Sequence, residues 1–166
     1  MSIETEIIEE VIILEFAERG EHVPHAKAYR VHIDGGIINV ETATLTGAAL
    51  LKAVGKGICA FELIAEFVHN ENEVIEPNET VDLRKHGLKG FITAHKEIVI
   101  ISIGGKSFPI ERGDRSVAEI LAKVGQASAG YDLYDEKTGL PVPSNQPVKI
   151  HGCEEFITQV RGGASS

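Results

Sequence analysis

The chain has few aromatic residues and fewer basic than acidic ones. Only 5% of its 166 residues are aromatic, none is Trp, and 16 Lys and Arg stand against 25 Asp and Glu, for a net charge of −9. Nucleic-acid binding relies on Lys and Arg that neutralise phosphates, so this charge argues against a nucleic-acid partner. The apolar fraction of 43% is nevertheless that of a globular protein.

Long apolar runs and cysteine pairs are also missing. No segment approaches the roughly 20 apolar residues of a membrane helix. The start, Met1-Ser2-Ile3-Glu4, lacks the basic and apolar stretches of a secretory signal. We therefore expect a cytoplasmic protein that does not bind membranes. Cys59 and Cys153 have no CxxC partner. Because a reducing cytosol disfavours a disulfide between them, we expect two buried free thiols.

What the sequence does contain is an internal repeat at a spacing of 70 residues. Residues 50–55 (LLKAVG) correspond to residues 120–125 (ILAKVG). Further along the chain the spacing shortens, and residues 91–93 (FIT) correspond to residues 156–158 (FIT). Apolar character is kept at positions that would face a core, while the polar positions differ. The repeat predicts two copies of one fold.

Each copy begins with an alternating strand, a glycine-containing turn and a second strand, which is the pattern of a β-hairpin. Thr46 or Ser116 then caps a short helix, and Gly55 or Gly125 ends it. The later strands are expected around residues 61–64, 81–83 and 91–93 in the first copy, and 131–134, 148–150 and 156–160 in the second. This order predicts an α+β protein made of two tandem β-grasp domains, each with its first and last strands in parallel.

The predicted domains leave a short segment at either end. Domain 1 covers residues 29–96 and domain 2 covers residues 97–163, followed by a removable tail at residues 164–166. The acidic and apolar residues 1–28 form an N-terminal extension. Their pattern fits a short helix ending near Gly20, although the Ile/Val run fits a strand equally well. The extension either packs on the first copy or docks a partner.

The most informative motif is Arg161-Gly162-Gly163, which follows the last strand and precedes Ala164-Ser165-Ser166. Two glycines have no side chains, so they can enter a narrow channel and present a carboxylate to an adenylating enzyme. An internal residue has no free carboxylate, so cleavage between Gly163 and Ala164 must come first. The alternative is a frayed end without function.

Other residues do not form a catalytic or metal-binding pattern. His22 and His25 are three residues apart but lack further ligands at metal-site spacing. Residues 55–57 (GKG) lack the longer glycine-rich pattern of a phosphate-binding loop. We therefore predict that the protein is not an enzyme and that it carries no metal or cofactor.

The chain resembles the bacterial tandem ubiquitin-like proteins of the multiubiquitin class, particularly the modifier of antiphage conjugation systems. The resemblance covers about residues 10–163. It rests on residues 29–35 (YRVHIDG), on residues 81–84 (VDLR) with Gly87 and Phe91, and on the closing residues 160–163 (VRGG). One departure is that the first copy ends in residues 94–96 (AHK) without a diglycine, so it cannot be released as a separate modifier.

The resemblance implies a conjugation pathway. A JAB-type zinc metallopeptidase would cut after Gly163, and a ubiquitin-activating-type enzyme and a conjugating enzyme would attach the Gly163 carboxylate to target proteins, including phage structural proteins. Val160 and Arg161 would be read by the activating enzyme. By resemblance to ubiquitin, an apolar patch on the sheet of the second copy would contact partner proteins, with Leu133, Tyr134 and Ile157 as candidates. Because side chains alternate between the two faces of a strand, some of these three residues belong to the core.

Two other functions fit the same features. A sulfur carrier would share the fold and the diglycine and would carry a C-terminal thiocarboxylate, although a single domain suffices for that chemistry. A non-covalent ubiquitin-like interaction module would use the folded surface, with the tail incidental. The tandem construction and the short tail favour the covalent modifier.

Overall fold

The computed structural model describes residues 8–162, and the chain divides into two compact units. The first unit ends at His95 and the second begins at Lys96. Both contain mixed sheets and few helices, so the α+β class is confirmed. None of the helices within residues 8–162 has the length and apolar character that crossing a membrane requires.

The elements of the first unit are β1 Ile8–Ile12, α1 Ile13–Arg19, β2 Ala26–Ile33, β3 Gly36–Val40, β4 Thr44–Thr46, α2 Gly47–Ala53, β5 Phe61–Phe67, β6 Glu73–Ile75, β7 Thr80–Asp82 and β8 Leu88–His95. The main sheet has the order β1-β2-β8-β5-β6, with β3 also paired to β2. The strands β2 and β8 run parallel, with Ile33 opposite Phe91. The strands β4 and β7 form a separate antiparallel ladder.

Local signals determine where α2 begins and ends. The Thr46 hydroxyl accepts a hydrogen bond from the Ala49 N–H at 3.2 Å, which caps one of the unpaired donors of the first turn. At the other end Gly55 adopts a φ of +74°, and the Lys56 N–H bonds back to the Leu51 carbonyl at 2.9 Å. The predicted cap and stop of this helix are confirmed.

The N-terminal segment forms both a strand and a helix. The strand β1 pairs in parallel with β2, placing Val11 opposite Tyr29. The helix α1 follows directly and ends at Gly20, which has a φ of +69°. Val11 and Ile13 are 5% and 0% exposed and belong to the core of the first unit. The described part of the extension, from Ile8 onward, therefore packs on this unit, and the Ile/Val run supplies its edge strand.

The elements of the second unit are β9 Ile98–Ile103, β10 Lys106–Glu111, β11 Gly113–Arg115, α3 Val117–Ala122, β12 Tyr131–Asp135, β13 Val148–Ile150 and β14 Glu155–Val160. The main sheet has the order β10-β9-β14-β12, and β11 pairs with β13. The strands β9 and β14 are parallel, with Ile103 opposite Phe156. Ser116 and Glu119 form a reciprocal capping box at the start of α3.

The repeat identifies the centres of both cores. Five of its matched apolar pairs are 3% exposed or less. They are Ile33 and Ile103, Leu50 and Ile120, Leu51 and Leu121, Leu63 and Leu133, and Phe91 and Phe156. Apolar burial is the main favourable contribution to folding, so each copy keeps the residues on which its stability depends.

The expectation of two buried free thiols is wrong. Cys59 is half-buried and Cys153 is exposed, and neither is a free thiol in the structure. The expectation assumed that a cysteine without a CxxC partner packs as a small apolar residue. Cys153 instead lies in a turn with a φ of +64°.

Candidate functional site

The candidate site is the end of β14, where the chain leaves the sheet of the second unit. The strand β14 lies between β9 and β12, and its last residue, Val160, lies opposite Tyr131. One residue further, the Arg161 N–H donates to the Gly130 carbonyl at 2.8 Å. The backbone is therefore fixed to the sheet as far as Arg161, and Gly162 follows this last bond.

The Arg161 guanidinium lies against β12. Its Nε donates to Asp132 Oδ1 at 2.9 Å, and its Nη2 lies 2.9 Å from the same oxygen and 3.2 Å from the Tyr131 carbonyl oxygen. The Arg161 and Asp132 side chains are 42% and 40% exposed. The residue predicted to be read by an activating enzyme thus already has an acidic partner within its own unit.

Val160 and Gly162, on either side of Arg161, are accessible. Val160 is 65% exposed. Gly162 has a φ of +78°, and a Cβ added there would meet nothing within 4 Å. The glycine is needed for its backbone conformation and not for close packing, because L-residues rarely adopt positive φ. The predicted conjugation and cleavage positions, Gly163 and Ala164, lie outside the described residues.

The structure separates the three residues of the predicted apolar patch. Leu133 is 1% exposed and belongs to the core of the second unit, so its place in a surface patch is wrong. Successive side chains in a strand point to opposite faces of the sheet. Tyr134 and Ile157 alternate with the buried Leu133 and Phe156, face away from the core, and lie opposite each other on β12 and β14. Ile157 is 38% exposed and Tyr134 is half-buried.

Two further apolar residues face outward from the same sheet. Ile98 and Ile100 on β9 are 55% and 50% exposed, whereas Val99 and Ile101, which alternate with them, are buried. Ile98 and Ile100 could not be recognised as exposed from the sequence, because the unbroken apolar run at residues 98–101 gives no sign of which face of the strand is buried. Their exposure adds to the apolar surface of the second unit.

The corresponding end of the first unit is built differently. The Thr93 N–H donates to Asp34 Oδ1 at 2.7 Å, and the Thr93 hydroxyl and Lys56 Nζ donate to Asp34 Oδ2 at 2.6 and 2.9 Å. Burial raises the pKa of the Asp34 carboxyl, but the hydrogen bonds from Thr93 and Lys56 outweigh it and hold this pKa below its usual range. In the second copy the repeat places Gly104 and Gln126 where Asp34 and Lys56 lie.

The histidines are dispersed except for one pair. The rings of His22 and His86 lie with their centroids 4.7 Å apart. Within residues 8–162, no three His, Cys, Asp or Glu side chains are grouped as ligands of a metal ion would be.

Comparison with protein families gives one match. Residues 29–96, which lie almost entirely in the first unit, match the family model described as multiubiquitin. The match covers less than half of the chain. It supports a multiubiquitin-like protein with a ubiquitin-like fold in this region, and proteins of this kind are typically non-enzymatic modifiers or modules that bind other proteins. No curated protein matches the chain.

Proposed function

We propose that this chain is the precursor of a ubiquitin-like protein modifier, composed of two tandem β-grasp domains at residues 29–96 and 97–163. Its active form ends at Gly163, and the Gly163 carboxylate is joined to amines of target proteins. Residues after Gly163 are removed by a JAB-type zinc metallopeptidase, and the protein acts in the cytoplasm.

The observation that carries this proposal is the point at which the chain leaves the sheet, between Arg161 and Gly162. The Arg161 N–H makes the last described bond between the tail and the sheet, and Gly162 has open space around its α-carbon. A diglycine that leaves a folded body at this point can enter a narrow channel while the body remains outside. Side chains at these two positions would widen the tail and restrict its backbone.

The chemistry proceeds by acyl transfer. An activating enzyme lets the Gly163 carboxylate attack the α-phosphate of ATP, which releases pyrophosphate and gives an acyl-adenylate. A cysteine thiolate of the enzyme then displaces AMP to form a thioester. A target amine attacks the thioester carbonyl, forms an isopeptide bond and releases the thiol. The chain itself contributes the carboxylate and the surfaces that the enzymes bind.

The folded surfaces support protein recognition. Arg161 and Val160 precede the diglycine and are positioned for an enzyme that reads the tail. Tyr134 and Ile157 present an apolar pair on the adjoining strands, and Ile98 and Ile100 are exposed separately at the start of β9. By resemblance to antiphage conjugation systems, we propose that the targets include phage structural proteins.

Coexpression with an activating enzyme, a conjugating enzyme and a peptidase of the proposed classes tests the proposal. We expect intact mass spectra to show loss of residues 164–166 and then isopeptide adducts through Gly163. The double variant Gly162→Ala/Gly163→Ala should form no adducts. Gly57→Ala is the matched control, because Gly57 is exposed and a Cβ there meets nothing within 4 Å. Adducts that persist in the double variant would contradict the proposal.

The same spectra distinguish the two alternatives. A sulfur carrier would gain one sulfur at a trimmed Gly163 and form no isopeptide bond. A non-covalent interaction module would keep its mass and form a stable complex, and the exposed side chains of Ile98 and Ile100 favour this function as the second candidate.

A further inference from the structure

The contact between Arg161 and β12 fixes the base of the tail at three points. The Arg161 backbone N–H is bound by the Gly130 carbonyl. Its guanidinium is bound by the Asp132 carboxylate and by the Tyr131 carbonyl. Asp132 lies opposite Gln159, two residues before Arg161, so the pair is a diagonal cross-strand pair within reach of long side chains. Two of the three partners are backbone atoms, and Asp132 contributes the charge.

This contact sets how far the tail can reach. With Arg161 bound, Gly162 and Gly163 together span at most about 7 Å beyond the sheet, whereas release of Val160 and Arg161 doubles this to about 14 Å. Val160 is already 65% exposed, so its release loses little buried apolar surface. The Arg161 interactions are therefore the main barrier to extending the tail.

We infer that Asp132 is a positioning residue for the proposed conjugation: it holds Arg161 on β12, and an activating enzyme that binds Arg161 must take the guanidinium from Asp132. This inference rests on the proposed function and adds a regulated step to it. When a partner binds only one of two states of a protein, its apparent affinity falls in proportion to the fraction of the protein that is in that state. Loss of the Asp132 charge should thus increase the fraction of protein with an extended tail and improve binding to the enzyme.

The exposure of the Arg161 and Asp132 side chains determines how much the released fraction is expected to change. Both side chains are about two-fifths exposed, and exposed ion pairs change equilibria by factors of up to about fivefold. We expect Asp132→Asn, which keeps the side-chain shape and removes the charge, to increase the released fraction about three- to fivefold. Salt screens such pairs, so the ratio between variant and unchanged protein should approach one as ionic strength rises.

Limited digestion with trypsin tests the contact without any conjugation enzyme. Trypsin cuts after Arg161 when the tail is released, and the loss of residues 162–166 is visible by intact mass. We expect Asp132→Asn to lose this fragment about three- to fivefold faster than the unchanged protein. Asp132→Glu should restore slow cleavage. Glu136→Gln, which removes one negative charge from an exposed position just after β12, is the matched control and should leave the rate unchanged.

Kinetics of activation test the role of the contact. With chains ending at Gly163, Asp132→Asn should lower the KM of the activating enzyme about three- to fivefold at unchanged kcat, and Asp132→Glu and Glu136→Gln should behave like the unchanged protein. Equal cleavage rates for Asp132→Asn and unchanged protein would show that the Asp132 charge does not hold Arg161 on β12. An unchanged or higher KM for Asp132→Asn would show that Asp132 does not limit binding to the activating enzyme. If no variant is activated while the trypsin rates differ as expected, the proposed function fails, and with it the role of Asp132, while the contact stands.

Discussion

At the scale of single residues, Gly90 has the strictest requirement in the first unit. A Cβ at this position would lie 2.5 Å from the His32 carbonyl oxygen and 3.1 Å from the His32 Cβ. Gly90 lies opposite Glu66, where the register of β5 and β8 shifts at a β-bulge. The absence of a side chain lets β8 approach β2 at the point where the two strands begin to run in parallel.

Replacement of Gly90 by Ala should therefore destabilise the first unit. Because the neighbouring atoms are the His32 backbone and the Cβ attached directly to it, no side-chain rotation relieves the contact and the strands must separate, so we expect a loss of about 1–3 kcal/mol. The measurement is the urea midpoint, with hydrogen exchange of the β2 and β8 amides to locate the effect. Gly57→Ala is the control, since its Cβ meets nothing within 4 Å. Similar midpoints for the two variants would show that β2 and β8 can move apart at little cost.

Single residues also show why the candidate site could be predicted only in part. The diglycine is a local motif and can be read directly from the sequence. The partner of Arg161 cannot, because Asp132 is 29 residues away and meets it only through the register of β12 and β14. Leu133 was a candidate for the surface patch by resemblance to ubiquitin, and the resemblance does not fix which of the alternating side chains is buried. Which face of a short strand is buried depends on the strands and helix around it.

At the scale of elements, α3 depends strongly on its cap. It has six residues. In its first turn the Glu119 N–H donates to Ser116 Oγ at 3.1 Å, and the Ser116 N–H donates to the Glu119 carboxylate at 3.4 Å. So short a helix has few hydrogen bonds of its own, and the cap satisfies two donors that would otherwise lack a partner.

Substitution of Ser116 by Ala should cost about 1 kcal/mol of stability in the second unit. Faster hydrogen exchange in α3 and a lower urea midpoint would report the loss. Ser107→Ala, at an exposed position in β10, should change neither. The importance of the capping box would be refuted by α3 amides that exchange equally slowly in both variants.

Elements with strong local signals were predictable, and those without them were not. The hairpin turns and both helix caps are confirmed because each depends on a few adjacent residues. The strands β4, β6 and β11, each of three residues, are too short to show a periodic pattern and were not predicted. The equally short β7 and β13 were predicted because alternating apolar residues recur at matching positions in the two copies. The Ile/Val run near the start was ambiguous until its pairing with β2 was known.

At the scale of the whole molecule, the proposal predicts that the two domains remain one product. The first copy ends in residues 94–96 (AHK) and has Glu97 and Ile98 where the repeat places the diglycine of the second copy, so a peptidase specific for diglycine finds no site between them. We expect treatment with the peptidase to give one chain ending at Gly163. The measurement is intact mass over time, and a second product ending near residue 96 would contradict the tandem unit. A chain with residues 95–96 replaced by two glycines is the positive control.

The position of β14 has a consequence for how the protein is made. This strand is the last of the described elements in chain order, yet it occupies the interior of its sheet between β9 and β12. Because β9 and β12 meet through β14, the sheet of the second unit closes only after its final strand has emerged from the ribosome. A prematurely terminated translation product would lack both the tail and the strand that completes the body. Under the proposed function, synthesis thus couples the reactive end to a finished fold, and we expect incomplete chains not to be substrates.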